Sequence, residues 1–296
     1  MIVLNLILYY LVIIPLSLLP MPILYLISDG VYVLVYHGFG YRKKVVLQNI
    51  RNSFPEKTTE EHIKISKQFY RYFCDVILET LKTFTISERE LAKRVVCHDP
   101  GVIDKYFDRG QSVIIAAGHY NNTQMFAVGI DRLLKHKVGG IYQPLTNKFF
   151  EEKMRKVRGK YGLTMVPTKK VKEFFDDNTN ELIAPAFAID QSPSNPNKAY
   201  WTTFLNQDSG VLFGTEKYAK DYNFPVVYCR MNLVKRGHYS LDFMDVVEKP
   251  RETAYGEITE KVTRLLEKDI RAVPQYWLWT HRRWKHKKPA VVNEQL

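Results

Sequence analysis

The sequence predicts an α/β fold: a mostly parallel sheet with flanking helices, preceded by an N-terminal hydrophobic membrane helix. Three observations lead there. The chain opens on a long apolar run without a charged side chain from residue 1 to residue 28, Asp29 being the first. Beyond residue 112, short apolar runs alternate with amphipathic stretches, the pattern of strands joined by helices. Neither an internal repeat nor a low-complexity tract interrupts the 296 residues, which leaves one globular domain after the apolar opening.

The opening run exceeds the ~20 residues a spanning helix needs. It lacks the basic start and small-residue cleavage site of a secretory signal, so it reads as a retained membrane anchor over residues 1–28, with residues 29–296 as the second unit. Pro15, Pro20 and Pro22 interrupt it, and each removes a backbone donor. The segment therefore spans as a kinked helix or dips in and returns; a buried hairpin of a soluble protein is the competing reading. Arg42, Lys43 and Lys44 form the first basic cluster and keep the bulk of the chain on the cytoplasmic side.

Residues 41–54 read as an amphipathic helix closed by Pro55. Thr58 and Glu61 make a capping box, and a long helix follows to about residue 83, with Ile65, Phe69, Phe73, Ile77 and Leu81 near helical spacing. Expected strands lie at 113–117, 138–142, 163–166, 183–189 and 226–230, and expected helices at 122–134, 149–161, 169–175 and 214–221. A more exposed strand at 238–247 and an amphipathic helix at 255–270 complete the pattern.

Charge narrows the partners. A formal net charge of +12 favours anions: nucleic acid, an anionic membrane face or an acidic protein. The basic residues are dispersed and accompany no nucleic-acid motif, so no nucleic acid is expected. The three cysteines, Cys74, Cys97 and Cys229, are scattered as small buried hydrophobes are, not as a disulfide scaffold. None of the eight histidines has another four residues away, and no metal site is expected. From residue 275 to 288, aromatic residues including Trp277, Trp279 and Trp284 alternate with basic ones, which reads as an interfacial patch, with a solvated face over core tryptophans as the alternative.

The chemistry gathers after the first strand of the sheet. Residues 112–117 run into Gly118-His119, and a histidine in a glycine turn between strand and helix is placed to act as a general base on an acceptor hydroxyl. Such an imidazole needs an acceptor on its other nitrogen. Position 124, one helical turn on, is placed to supply it, and there the residue is Gln124.

Gly118-His119 followed by Asn122 and Gln124 resembles the His-x4-Asp/Glu motif of the lysophospholipid acyltransferase superfamily. It is similar to the Gly-His-x-x-Asn-Trp-Glu type string of the lipid A late (lauroyl/myristoyl) acyltransferase family, with Thr123 in place of Trp. Arg42, Asn49, Phe54 and Pro55 resemble that family's Arg…Asn…Phe-Pro signature, and residues 141–147 with Arg158 and Gly162 resemble its Tyr-Arg-Pro-Leu-x-Asn…Arg…Gly block. Asp190-Gln191 and residues 277–285 match later segments, so the likeness runs in order along nearly the whole chain.

The resemblance implies a membrane-bound O-acyltransferase that moves a fatty acyl chain from acyl carrier protein to a hydroxyl of lipid A or its precursor, a glycolipid of the bacterial inner membrane. Residues 29–296 would be the catalytic domain, on the cytoplasmic face. His119 would be the base and position 124 its partner, with Arg158 stabilising an oxyanion or phosphate and Asp190 shaping the site. Asn122, Gln143 and Asn147 would contact substrate, with acyl carrier protein, the glycolipid acceptor and membrane lipid as partners. No cofactor is implied beyond the acyl-carrier donor.

Two departures stand out: Gln143 where the family often has arginine, and Gln124 where it has glutamate. An uncharged partner cannot stabilise imidazolium, so the chain is expected to be a slowed or disabled form. The alternatives are an introduced substitution, a natural one with Asp190 taking over, or a non-catalytic lipid-binding homologue. The same chemistry on another acceptor, an aminolipid or a pigment, also fits.

Overall fold

The computed structural model describes residues 2–289; residue 1 of the expected anchor and the end of the expected domain, 290–296, lie outside them. Two helices, α1 (Ile2–Leu18) and α2 (Met21–Phe39), open the chain. They break at Leu19, which is extended because the ring of Pro20 crowds the helical conformation of the residue before it. The turns over Leu8–Ile13, ahead of Pro15, widen to π geometry, a common response to a lost helical donor. Among the described residues only α2 is both long and apolar enough to cross a membrane. The expected boundary at residue 28 falls inside it.

Helices α3 (Lys43–Ser53) and α4 (Thr59–Lys82) follow, α4 starting on the expected capping box of Thr58 and Glu61. Then come α5 (Glu88–Arg94), the two-residue strand β1 (Val95–Val96) and α6 (Gly101–Asp108). The α/β core runs β2 (Ile114–Ala117), α7 (Thr123–Gly129), β3 (Lys137–Tyr142), α8 (Lys148–Arg158), β4 (Thr164–Pro167), α9 (Val171–Asp177) and β5 (Ile183–Ala188). A hairpin of β6 (Tyr200–Phe204) and β7 (Gln207–Val211) precedes α10 (Gly214–Tyr222), β8 (Val226–Lys235), β9 (His238–Val247) and α11 (Glu257–Ala272).

Seven strands form one sheet in the order β1-β9-β8-β2-β5-β3-β4, parallel except where β8 meets β9. The expected mostly parallel sheet is therefore present. Central β2 is covered on both faces: Ile114 and Ala116 join the cluster under α3, α4, α10 and α11, while Val113 and Ile115 join that under α5 to α8. This explains its continuous apolar run. Chain order reverses at β2, whose neighbours are β5 and β8, and ligand crevices in such sheets open at the carboxyl ends of the strands beside that reversal.

Helices α5 and α6 and the β6–β7 hairpin are not among the expected elements. The hairpin turns through Leu205 and Asn206, both at positive φ (50° and 62°), and the Leu205 amide donates to buried Glu267 at 3.1 Å. A long-range bond thus holds a turn that leucine disfavours by itself.

The two N-terminal helices are docked on the rest of the chain. Lys82 Nζ of α4 donates to the carbonyl of Leu19, Thr85 Oγ1 to that of Ser17, and Asn5 pairs with Asn147 at the start of α8. The outward side chains Leu4, Leu11, Leu26, Val33 and Leu34 remain exposed.

Candidate active site

The site begins with strand register. In the parallel pair, Ala117 of β2 lies opposite Ala188 of β5. Both chains leave the sheet at the same edge, so the residues two further on, His119 and Asp190, arrive side by side. His119 Nδ1 is 2.7 Å from Asp190 Oδ1, and the His119 backbone amide donates to Oδ2 at 2.8 Å. The indole of Trp277 adds a third donor to that carboxylate at 2.7 Å. Asp190 is buried and His119 keeps 22% of its side chain exposed.

Electrostatics follow from this geometry. Burial works against charge on both groups, but the pair outweighs it. The His119 charge and hydrogen bond, with donation from Trp277 and the His119 amide, hold the Asp190 carboxyl at about 2. For His119, burial again opposes charge, yet the Asp190 carboxylate and its hydrogen bond raise the imidazole above its usual value. An ionised carboxylate accepts only, so Nδ1 carries a proton, and in the neutral ring the lone pair sits on Nε2. The Gln191 side-chain amide, 3.1 Å away, faces that nitrogen.

His119 opens onto a narrow cleft of about 50 Å³ lined by Phe69, Tyr72, Phe73 and Val76 of α4, by Asn121 and Thr123, and by Tyr276, Trp277 and Leu278. The wall is mainly apolar, with the imidazole, Asn121 and Thr123 as its polar members.

Position 124 does not meet the imidazole. Gln124 is buried; its Nε2 donates to Thr83 Oγ1 at 3.3 Å and its Oε1 accepts from Arg158 Nε at 2.8 Å. The expected Gln124–His119 contact is replaced by His119–Asp190. The physical reason is that α7 points residue 124 toward the end of α4, whereas β5 delivers a carboxylate directly to Nδ1. Burial lowers the pKa of Arg158 and no carboxylate pairs with it among the described residues, yet its positive charge is felt at His119.

The other expected site residues disperse. Asn122, fully buried, caps α7 by accepting from the amides of Gln124 and Met125. Exposed Asn147 caps α8 through Phe149 and Phe150, and exposed Gln143 accepts from Thr168 Oγ1 at 2.9 Å. Among the described residues, no cluster of three or more histidines, cysteines or acids gathers for a metal ion.

The closing aromatic segment departs from an interfacial patch. Trp277 and Trp279 are 2% and 0% exposed, so they are core residues, Trp279 packed against Phe54 and Trp277. Asn49 of α3 donates to the carbonyls of Trp279 (2.9 Å) and His281 (3.0 Å), and Arg42 to that of Thr280 (3.0 Å). The Arg…Asn signature therefore clamps the strap that carries Trp277 to Asp190. Trp277 was the site residue that sequence reasoning took for a surface one.

The model of the bacterial lipid A biosynthesis acyltransferases matches residues 2–286. The chain belongs to this family. Comparison with curated proteins returned no significant match. In this lipid A biosynthesis acyltransferase an imidazole of fixed orientation thus stands against a buried carboxylate, with the Arg158 charge within electrostatic reach of the ring.

Proposed function

We propose that this acyltransferase moves a fatty acyl chain from the thioester of acyl carrier protein to a hydroxyl of lipid A or its precursor, with His119 as general base. The observation that carries the reading is the Asp190–Nδ1 bond, which turns Nε2 away from the carboxylate, with the Gln191 amide beside it, in a ring that lines a mainly apolar cleft. Nε2 removes the hydroxyl proton as the oxygen attacks the thioester carbon. The tetrahedral oxyanion collapses, the carbon–sulfur bond breaks, and the imidazolium returns its proton to the departing thiolate, giving an ester and a free thiol. The scheme needs no cofactor.

Asp190 supports the imidazolium through this cycle. Arg158, whose charge Gln124 leaves unneutralised, is the candidate for stabilising the oxyanion or a substrate phosphate. The penalty expected from glutamine at 124 assumes that it touches the imidazole; since Asp190 fills that role, we assign Gln124 to positioning Arg158 and regard this form as active. Exposed Gln143 and Asn147 are candidates for head-group contact.

Helix α2 supports residence at the bacterial inner membrane, and Arg42, Lys43 and Lys44 beyond it favour a cytoplasmic catalytic domain. The net charge of +12 suits both an acidic carrier protein and anionic lipid.

The test is transfer of a labelled acyl group from acyl carrier protein to purified lipid A precursor, by the full chain and by His119→Ala. Ester formation that His119→Ala abolishes supports the reading. Undiminished transfer by the variant refutes the base, and transfer only to another acceptor refutes the substrate.

A further inference from the structure

Beside the site lies a buried acid that the scheme does not use. Glu79, on α4, is 1% exposed and forms no ion pair among the described residues. Its carboxylate instead gathers three donors from three distant parts of the fold. Tyr25 of α2 donates its hydroxyl to Oε1 at 2.9 Å, while Tyr239 of β9 and the Asn122 amide both donate to Oε2 at 2.6 Å. Burial raises the carboxyl's pKa above its ordinary value, the expected cost of an acid without a cation.

Each branch has a consequence. The Asn122 amide has two ends: with Nδ2 committed to Glu79, Oδ1 must face the other way, and there it caps the backbone amides of Gln124 (3.1 Å) and Met125 (3.0 Å). Gln124 in turn holds Arg158 Nε at 2.8 Å. The Glu79 carboxylate thus sets the polarity of the cap on the helix that follows His119.

At the other end stands α2. Its polar side chains Tyr25, Ser28 and Asp29 fall on one stripe, and all are engaged. Ser28 donates to Asp75 at 2.7 Å, and Arg236 pairs with Asp29 at 2.7 Å while lying 4.4 Å from the Tyr25 ring centroid. Gly237 makes room for this seat, since a Cβ there would lie 1.9 Å from the Tyr25 hydroxyl oxygen. The opposite side of α2 is apolar and exposed, including Leu26 at 74%. A helix otherwise free to slide on apolar contacts is pinned in one register by polar bonds.

We propose that Glu79 is a positioning residue that couples the seating of the N-terminal helix to the cap of the catalytic helix, making α2 part of the active site and not only its anchor. When α2 is displaced, Glu79 loses a donor, its hold on Asn122 weakens, and the Gln124–Arg158 contact loses its fixed position. The structural half of this coupling is independent of the reaction; its effect on turnover rests on the proposed acyl transfer.

The test uses the full chain in vesicles of phosphatidylethanolamine and phosphatidylglycerol, with Tyr25→Phe, Glu79→Gln and Glu79→Leu. Amide hydrogen exchange is followed at residues 124 and 125, and kcat and KM are measured beside it. Glutamine at 79 retains an acceptor for Tyr239 and Asn122 and offers its NH2 to the Tyr25 oxygen, so exchange and turnover stay near those of the parent. Tyr25→Phe removes one donor without a cavity, and exchange at 124 and 125 rises ~10-fold while kcat falls with KM for the acyl donor unchanged. Glu79→Leu exceeds both effects. Unchanged exchange in Tyr25→Phe overturns the coupling, even if Glu79→Leu fails to fold. Faster exchange with unchanged kcat overturns the positioning role. Should no form transfer acyl groups, the exchange result still decides the coupling, and the proposed function alone falls.

Discussion

Asp190 grips His119 twice, accepting a hydrogen bond from the imidazole on one oxygen and from the backbone amide on the other. A carboxylate bonded to both the ring and the main chain of the same residue fixes ring rotation and tautomer together. The expected effect of Asp190→Asn is therefore a loss in kcat of about 10^4-fold, the order seen when a triad aspartate is swapped for asparagine. A loss below tenfold in a steady-state transfer assay excludes Asp190 as the partner of the base.

The pair also sets a pH dependence. Because the folded imidazole titrates above 6.5, transfer rises with pH through a midpoint higher than that value. For stability the two groups work from opposite sides. Asp190, depressed from 3.8 to about 2, stabilises the fold above the unfolded value, and that contribution fades as pH falls toward 2. His119, raised from 6.5, contributes below 6.5 and loses its share as pH climbs through the folded value. Both describe one interaction, to be counted once. Urea titrations at several pH values check it, with Asp190→Asn flattening both limbs.

Gln124→Glu separates two accounts of the site. If position 124 partnered the imidazole, restoring the carboxylate would raise kcat by about 10^4-fold. With Gln124 on Arg158, the new carboxylate neutralises that cation, so the plateau rate changes by no more than about tenfold, an energy near that of one charged hydrogen bond. Since Arg158 lowers the His119 pKa, its neutralisation moves the midpoint of the pH–rate profile upward. A downward or absent shift contradicts the arrangement.

Asn49→Ala tests the strap. It strips donors from the carbonyls of Trp279 and His281, a cost of about 1–3 kcal/mol when such groups stay buried. Looser, the strap frees Trp277 from Asp190, so kcat falls as well. Trp277→Phe reproduces the kinetic loss without touching Asn49. Chemical denaturation and kcat, measured on both variants, distinguish clamp from indole; wild-type kcat in both discards the strap's role.

Gly118→Ala probes the turn before the base. A Cβ there would meet the Leu266 methyl carbons at 2.5 and 2.7 Å, and Leu266 is 1% exposed with little room to retreat. Overpacking costs about 1–3 kcal/mol. Adding Leu266→Ala should recover part of the overpacking loss, a non-additivity that a double-mutant cycle detects. Strict additivity means that the two sites do not touch.

Local signals made much of this molecule legible. The Thr58–Glu61 box, the long α4 and the apolar run of β2 depend on neighbours along the chain, and each appears near its expected limits. The glycine turn after β2 marked His119 as a candidate base, and the structure sets Asp190 against it. The β6–β7 hairpin was invisible because Gln207, Asp208, Ser209 and Gly210 favour a strand poorly and become one by pairing. Trp277 and Trp279 misled for a related reason: alternation with arginine and lysine describes a surface unless a distant helix, here α3 with Asn49, draws the tryptophans inward.

By itself the sequence determined the family, the α/β class and the apolar start, and it singled out His119 as the candidate base, because these rest on residue types and short spacings. Tertiary structure alone decided which residue His119 leans on. Position 124 is five residues from His119 and Asp190 is 71 away, yet the Ala117–Ala188 register delivers the distant one. Hydrogen-bond geometry is satisfied in space, and adjacent parallel strands bring their ends together however long the chain between them.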